Sequence, residues 1–189
     1  EYLAGYSQVA EIPFKKTIDK IAYVESRECL QIEGALFKKV DALCNQIGIT
    51  HNTFIRGVWG YLLSHYNNTN DVVFGAVVSG RPADLQGVED MIGLFINTVP
   101  VRIQSSAETT VQNLLKEVHQ GSIEGTAHHY TQLAEIQSES ELGRGLFDHI
   151  LVFENYPVQE MVEQGMENKE GSGSLSLLSF EAFEQNSYD

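Results

Sequence analysis

Apolar residues recur at spacings of three and four along Gly34–Gly48, where Leu36, Val40, Leu43, Cys44 and Ile47 share one face. This spacing predicts a helix stopped by Gly48. Thr50 is placed to cap a second helix running to about Tyr66, with Phe54, Val58, Leu62 and the single tryptophan, Trp59, among its apolar positions. The polar NNTND stretch, Asn67–Asp71, has turn chemistry. Two nearly continuous apolar runs follow, Val72–Val78 and Leu94–Ile103, and both predict strands. A third helix is expected over Glu108–Gly125 with Val111, Leu114, Leu115 and Val118 inward, then a short helical turn at Leu133–Gln137. Phe147–Phe153 predicts a strand, as do the partly alternating Tyr23–Ile32 and the late run Leu175–Phe183. Glu11–Phe14 is read as an extended entry segment and Pro157–Ser174 as a polar loop. The order β-α-α-β-β-α-β-β gives an α/β fold, a mixed sheet with helices packed mainly on one face.

Composition narrows the function. The 189 residues carry a net charge of −14 and so repel nucleic acid and anionic membrane surfaces. No apolar run reaches the roughly 18 residues of a membrane span. The two cysteines, Cys29 and Cys44, have no metal-type spacing and suit a reducing compartment. No His, Cys, Asp and Glu cluster has metal-ligand spacing, and no glycine-rich phosphate loop is present. The chain begins at Glu1 without an initiator methionine and reads as a segment of a longer polypeptide.

Polar groups break in where the apolar runs have no structural need of them. Ser79, Gly80, Arg81 and Pro82 end the first run, and Asn97 and Thr98 interrupt the second. Gly80 and Pro82 can simply end a strand, one by permitting a turn and the other by stopping the ladder. Ser79 at a strand end can instead offer its hydroxyl to a ligand oxygen or amide, and Arg81 presents a planar fork for a carboxylate or backbone carbonyls. An unpaired buried amide costs on the order of 1–3 kcal/mol, so Asn97 needs a partner, either backbone or a reacting group. Pro100 argues for an edge or crossover position. Glu89–Asp90 reads as a solvated loop face. His51, His65 and His119 read as helix-surface residues. Asp148 and His149, neighbours on an expected strand, would point to opposite faces.

The stretch VVSGRP, followed by GLFINTVPVR, resembles the signature of the C-terminal lobe of nonribosomal peptide synthetase condensation domains, which share a chloramphenicol-acetyltransferase-like fold. HHYTQLAEIQ, beginning at His128–His129, resembles a later non-catalytic motif of that family. It lacks the Asp–Gly of the catalytic HHxxxDG, having Leu133–Ala134 there. Glu141–Asn155 resembles the last family signature, with Arg144 in the arginine place and an expected role in a salt bridge that holds the lobe together. Epimerisation-type relatives of the same fold read EGHGRE and GWFTxxYPV at these places. The wording here favours condensation, in the manner of bacterial synthetases that make tyrocidine- or gramicidin-like peptides.

The resemblance implies that residues 1–189 form the C-terminal lobe of a condensation domain. The lobe bearing the catalytic histidine lies outside the chain. Implied partners are that N-terminal lobe, donor and acceptor peptidyl carrier proteins with their 4′-phosphopantetheine arms, and an adjacent adenylation domain, all in the cytoplasm, with no cofactor or metal bound directly. It implies amide formation between an acyl or peptidyl thioester and an aminoacyl thioester. Ser79, Asn97 and Arg81 are the expected substrate-tunnel or positioning residues, with Arg81 also suited to tie the lobes together. Gly80, Pro82, Gly93, Thr98, Arg102 and Arg144 are expected to be structural. The alternatives are a carrier-docking module without chemistry and a free-standing acyltransferase of the same fold.

Overall fold

In a computed structural model, residues 2–13, 26–81 and 85–154 are described. Pro82, the expected loop 157–174 and the expected strand 175–183 lie outside them, as does the beginning of the run Tyr23–Ile32. Helix α1 spans Gly34–Ile47 and ends at Gly48, whose φ of 72° is left-handed and costs a glycine little. Helix α2 spans His51–Asn67, and the Thr50 hydroxyl accepts the Thr53 N–H at 3.1 Å as its cap. Strand β1 (Asp71–Ser79) and strand β2 (Ile96–Gln104) form an antiparallel pair in the register Val72↔Ile103 and Ser79↔Ile96. Helix α3 covers Val111–Gly125, capped by Thr110, and helix α4 covers Leu133–Ser138. Strand β3 is only Ile150–Leu151, parallel to β1, so the described sheet is mixed with order β2-β1-β3.

Alternation along the strands sorts the core into two sides. Val72, Phe74 and Ala76 of β1 join Val101 and Ile103 of β2 against Leu63 of α2 and Leu114 and Val118 of α3. On the opposite face Val73 packs with Tyr6, Leu146 and Phe147. Helix α2 comes unusually close to its neighbours. A Cβ placed on Gly57 would lie 2.4 Å from Leu115 Cδ2, and one on Gly60 2.3 Å from Ile103 Cδ1. The buried stripe of α2 is therefore Thr53, Arg56, Gly57, Gly60 and Leu63, while Val58 and Leu62 are exposed.

The N-terminal segment serves the outer edge of β2 and the stretch of β1 that β3 does not pair with. The Tyr2 hydroxyl accepts the Arg102 N–H at 2.7 Å on the outer side of β2. The Tyr6 hydroxyl accepts the Val73 N–H and the Ala10 N–H, each at 3.1 Å. Since the Arg102 N–H points away from β1, Pro100 two residues earlier also turns its backbone nitrogen outward, where no ladder bond is lost.

Several expectations are corrected. Residues 26–32 of the expected strand Tyr23–Ile32 form no strand and are exposed. The expected strand Phe147–Phe153 shrinks to Ile150–Leu151, because Phe147 leaves the ladder to fill the space over Gly75. Val111 is exposed rather than inward, as it stands on the first turn of α3 beyond the sheet. His119 is half-buried between helices, with Nδ1 3.1 Å from the Thr53 hydroxyl.

Candidate functional site

The end of β1, the start of β2 and the turn after α3 meet at one place. Gly80 donates its N–H to the Phe95 carbonyl at 2.7 Å. A Cβ there would sit 2.3 Å from that same oxygen, so glycine lets the two strand ends close, and the His129 carbonyl lies at ordinary contact distance, 3.6 Å. Ser79, paired across the ladder with Ile96, is exposed, and no hydrogen bond engages its hydroxyl among the described residues.

Asn97 is half-buried and its amide is fully engaged. Nδ2 donates to the carbonyls of His129 at 2.8 Å and Thr131 at 2.7 Å, and Oδ1 accepts the Thr98 N–H at 2.9 Å. Asn97 therefore fixes the 129–131 turn against the sheet, using backbone groups as its partners. Thr98 faces Val77 in the ladder.

Arg81 folds its own loop. Its guanidinium donates to the carbonyls of Val88 and of Met91, the latter at 3.1 Å, and Cζ lies 4.1 Å over the Phe95 ring. Gly93 lies exposed in this loop. Beside the site Ile92, Leu94 and Ile96 are strongly exposed, Ile92 completely.

Two expected structural residues lie elsewhere. Arg102 forms a two-pronged pair with Asp71, Nε to Oδ1 at 2.8 Å and Nη2 to Oδ2 at 2.6 Å, and Nη1 donates to the carbonyls of Tyr2 and Ala4 at 2.9 Å each. The hydrogen bond to Asp71 raises the already high pKa of this guanidinium. Arg144 is exposed on the turn Gly143–Gly145 and has no ion pair among the described residues, so the expected salt bridge is absent there.

Sequence reasoning missed three features. The chain leaves extended geometry at Asp148, so Asp148 and His149 do meet, Oδ1 to Nδ1 at 2.5 Å, contrary to the opposite-faces expectation. The Trp59 indole N–H donates to His149 Nε2 at 2.9 Å, which puts the imidazole proton on Nδ1 facing the carboxylate. Asp148 Oδ2 accepts the Ile12 N–H at 3.1 Å. Arg56, on the buried stripe of α2, is the second; that stripe is built on Gly57 and Gly60, so apolar spacing gave no signal for it. The third is the electrostatics of His129, a residue already singled out by its motif: burial lowers its pKa, and the nearby Arg56 charge does so secondarily.

The condensation domain family model matches residues 1–189. This chain belongs to the condensation domain family. It is 39% identical over its whole length to gramicidin S synthase 2 of Brevibacillus brevis, of which it spans 4%. It is 36% identical to tyrocidine synthase 2 of Brevibacillus parabrevis, spanning 5% of that protein. The chain thus spans a small part of these curated relatives. Among solved structures, one described as the crystal structure of CT matches 59% of this condensation-family chain and 26% of its own, with 26% identity and a TM-score of 0.54. The first condensation domain of the CDA synthetase matches in fold, at 17% identity and a TM-score of 0.52, over 62% of the chain and 26% of its own. The α/β reading and the likeness to antibiotic-type bacterial synthetases hold. No helix of the described residues is long and apolar enough to cross a membrane.

Proposed function

We propose that the chain is the C-terminal lobe of a condensation domain in a cytoplasmic multienzyme, and that the complete domain joins two carrier-bound substrates through an amide bond. The observation that carries this reading is the junction of Ser79, Gly80 and Asn97 with the 129–131 turn, in a chain matched along its full length by the condensation family. In the reaction the acceptor amine attacks the donor thioester carbonyl. The C–N bond forms, the C–S bond breaks, and the departing thiolate takes up the proton that the amine loses. Holding the two groups together can supply up to roughly 7–11 kcal/mol of the barrier.

The free hydroxyl of Ser79 fits an amide or thioester oxygen of a phosphopantetheine arm from either carrier protein. Such an arm presents the substrate as a thioester. Asn97 acts as a positioning residue through the turn it holds, and Arg81 through its loop. The exposed Ile92, Leu94 and Ile96 suit coverage by the lobe that brings the catalytic histidine.

Ser79→Ala, Asn97→Ala and Arg81→Ala in the complete domain test the proposal, with single-turnover condensation rate and soluble yield as readouts. Ser79→Ala should slow condensation about tenfold at unchanged yield, the loss of one transition-state hydrogen bond. If all three variants match the parent in both rate and yield, the assignment of this site is wrong.

A further inference from the structure

A groove of about 920 Å³ opens on the outer side of β2, walled by α3, the turn after it and α4. Arg56 of α2 lines it and is only 6% exposed. Among the described residues its one hydrogen bond runs from Nη1 to the Ser122 hydroxyl at 3.2 Å, and that hydroxyl is itself spent on the Val118 carbonyl at 2.8 Å. Among the described residues Arg56 Nε has no partner and no carboxylate lies within ion-pair reach of the guanidinium. A buried guanidinium without a counter-charge is costly, and a planar fork with an idle edge is the shape that takes a carboxylate.

The mouth of the same groove carries the opposite sign. Glu117, Glu124, Glu135, Glu139 and Glu141 line it, and all five are exposed. The lining's other arginine, Arg102, is already paired with Asp71, so a simple anion would meet five carboxylates before reaching the unpaired guanidinium of Arg56, and the charge pattern selects against it. A molecule with a carboxylate at one end and an ammonium at the other matches both ends. Pro100, also in the lining, turns its carbonyl toward this side and offers an acceptor to a peptide N–H.

We infer that this groove binds a zwitterionic short peptide or amino acid, with its carboxylate on Arg56 and its ammonium among the mouth glutamates. The inference goes beyond the amide-forming reading and does not require it. Ser79 does not line this groove, which shares with the Ser79 junction only the turn that Asn97 holds, through His129 and Thr131.

Isothermal titration of the full-length protein with L-alanyl-L-alanine tests it, alongside the N-acetylated dipeptide, which lacks the ammonium, and the dipeptide amide, which lacks the carboxylate. The free dipeptide should bind saturably, and both blocked forms should bind at least tenfold more weakly. Arg56→Gln should weaken dipeptide binding at least tenfold with a melting temperature no lower than the parent's, because it removes an uncompensated buried charge. The surface triple variant Glu135→Gln, Glu139→Gln, Glu141→Gln, which leaves the core untouched, should weaken the dipeptide several-fold and leave the N-acetylated form no weaker. No saturable binding to the parent, blocked forms equal to the free dipeptide, or unchanged binding in the triple variant would each overturn the inference.

Discussion

Arg102 and Asp71 sit diagonally across β2 and β1, joined by two parallel hydrogen bonds of 2.8 and 2.6 Å, while the same guanidinium holds the carbonyls of Tyr2 and Ala4. One side chain thus clamps the strand pair and the N-terminal segment together. Arg102→Ala should lower stability by roughly 2–3 kcal/mol, since it strands a partly buried carboxylate and two carbonyls. Arg102→Lys should recover only part of that, because a point charge cannot supply the fork. Denaturant unfolding of the three proteins decides it, and an Arg102→Lys protein as stable as the parent would show that charge alone suffices.

Gly80 tolerates no side chain for a reason other than backbone torsion. The obstacle is the Phe95 carbonyl, 2.3 Å from where a Cβ would stand, and a backbone oxygen cannot swing aside as a side chain can. Gly80→Ala should cost about 1–3 kcal/mol by forced displacement of the strand end. Gly121→Ala, where nothing lies within 4 Å of the new atom and the site is an exposed helix interior, should be neutral to stabilising. Thermal melts of the two variants should move in different directions.

His129 gives the fold an acid-sensitive point. Burial first, and the Arg56 charge second, hold its folded pKa below the ordinary histidine value. A lowered folded pKa means that the unfolded chain takes the proton first as pH falls. This contribution is intact above about pH 6.5 and is lost progressively below it. Between about pH 7.5 and pH 5.5 the parent should lose more stability than His129→Gln. Equal losses in the two proteins would remove His129 from the account.

The Trp59–His149–Asp148 chain should behave as a unit. Trp59→Phe keeps an aromatic ring, though a smaller one, and leaves His149 Nε2 without its donor, at a cost of about 1 kcal/mol or more. His149→Gln alone and in combination completes a double-mutant cycle. The two changes should be non-additive by at least about 0.5 kcal/mol. Additive losses would mean that the indole and imidazole merely adjoin.

Much of this was legible in the chain. The helices α1, α2 and α3 and the pair β1–β2 follow from periodicity, capping residues and turn chemistry, which are local. The family signatures drew Ser79, Gly80 and Asn97 into one neighbourhood. The inward face of α2 was not legible from apolar spacing, because its closest approaches are made by Gly57 and Gly60. Hydrophobicity records what a side chain contributes, and those positions matter by contributing none. Asp148 and His149 escaped because the strand expected there breaks at the ring of Phe147, a tertiary event without a local signal. Arg102 carries the family's motif wording, yet its partner Asp71 is brought diagonally within its reach only by the register of the two strands.

The hydroxyls of Tyr2 and Tyr6 have a consequence for cutting and splicing this polypeptide. Each occupies a backbone N–H that would otherwise stand open, one on the outer margin of β2 and one on β1. A fragment trimmed to begin just after Tyr6 would keep every helix and strand named here, yet bare the edge of β2, and the part of β1 that β3 leaves unpaired, to strand addition from another molecule. Solubility of module chimeras should therefore fall sharply at a junction drawn inside these few residues, and a junction on the far side of Tyr2 carries the sheet's own protection with it.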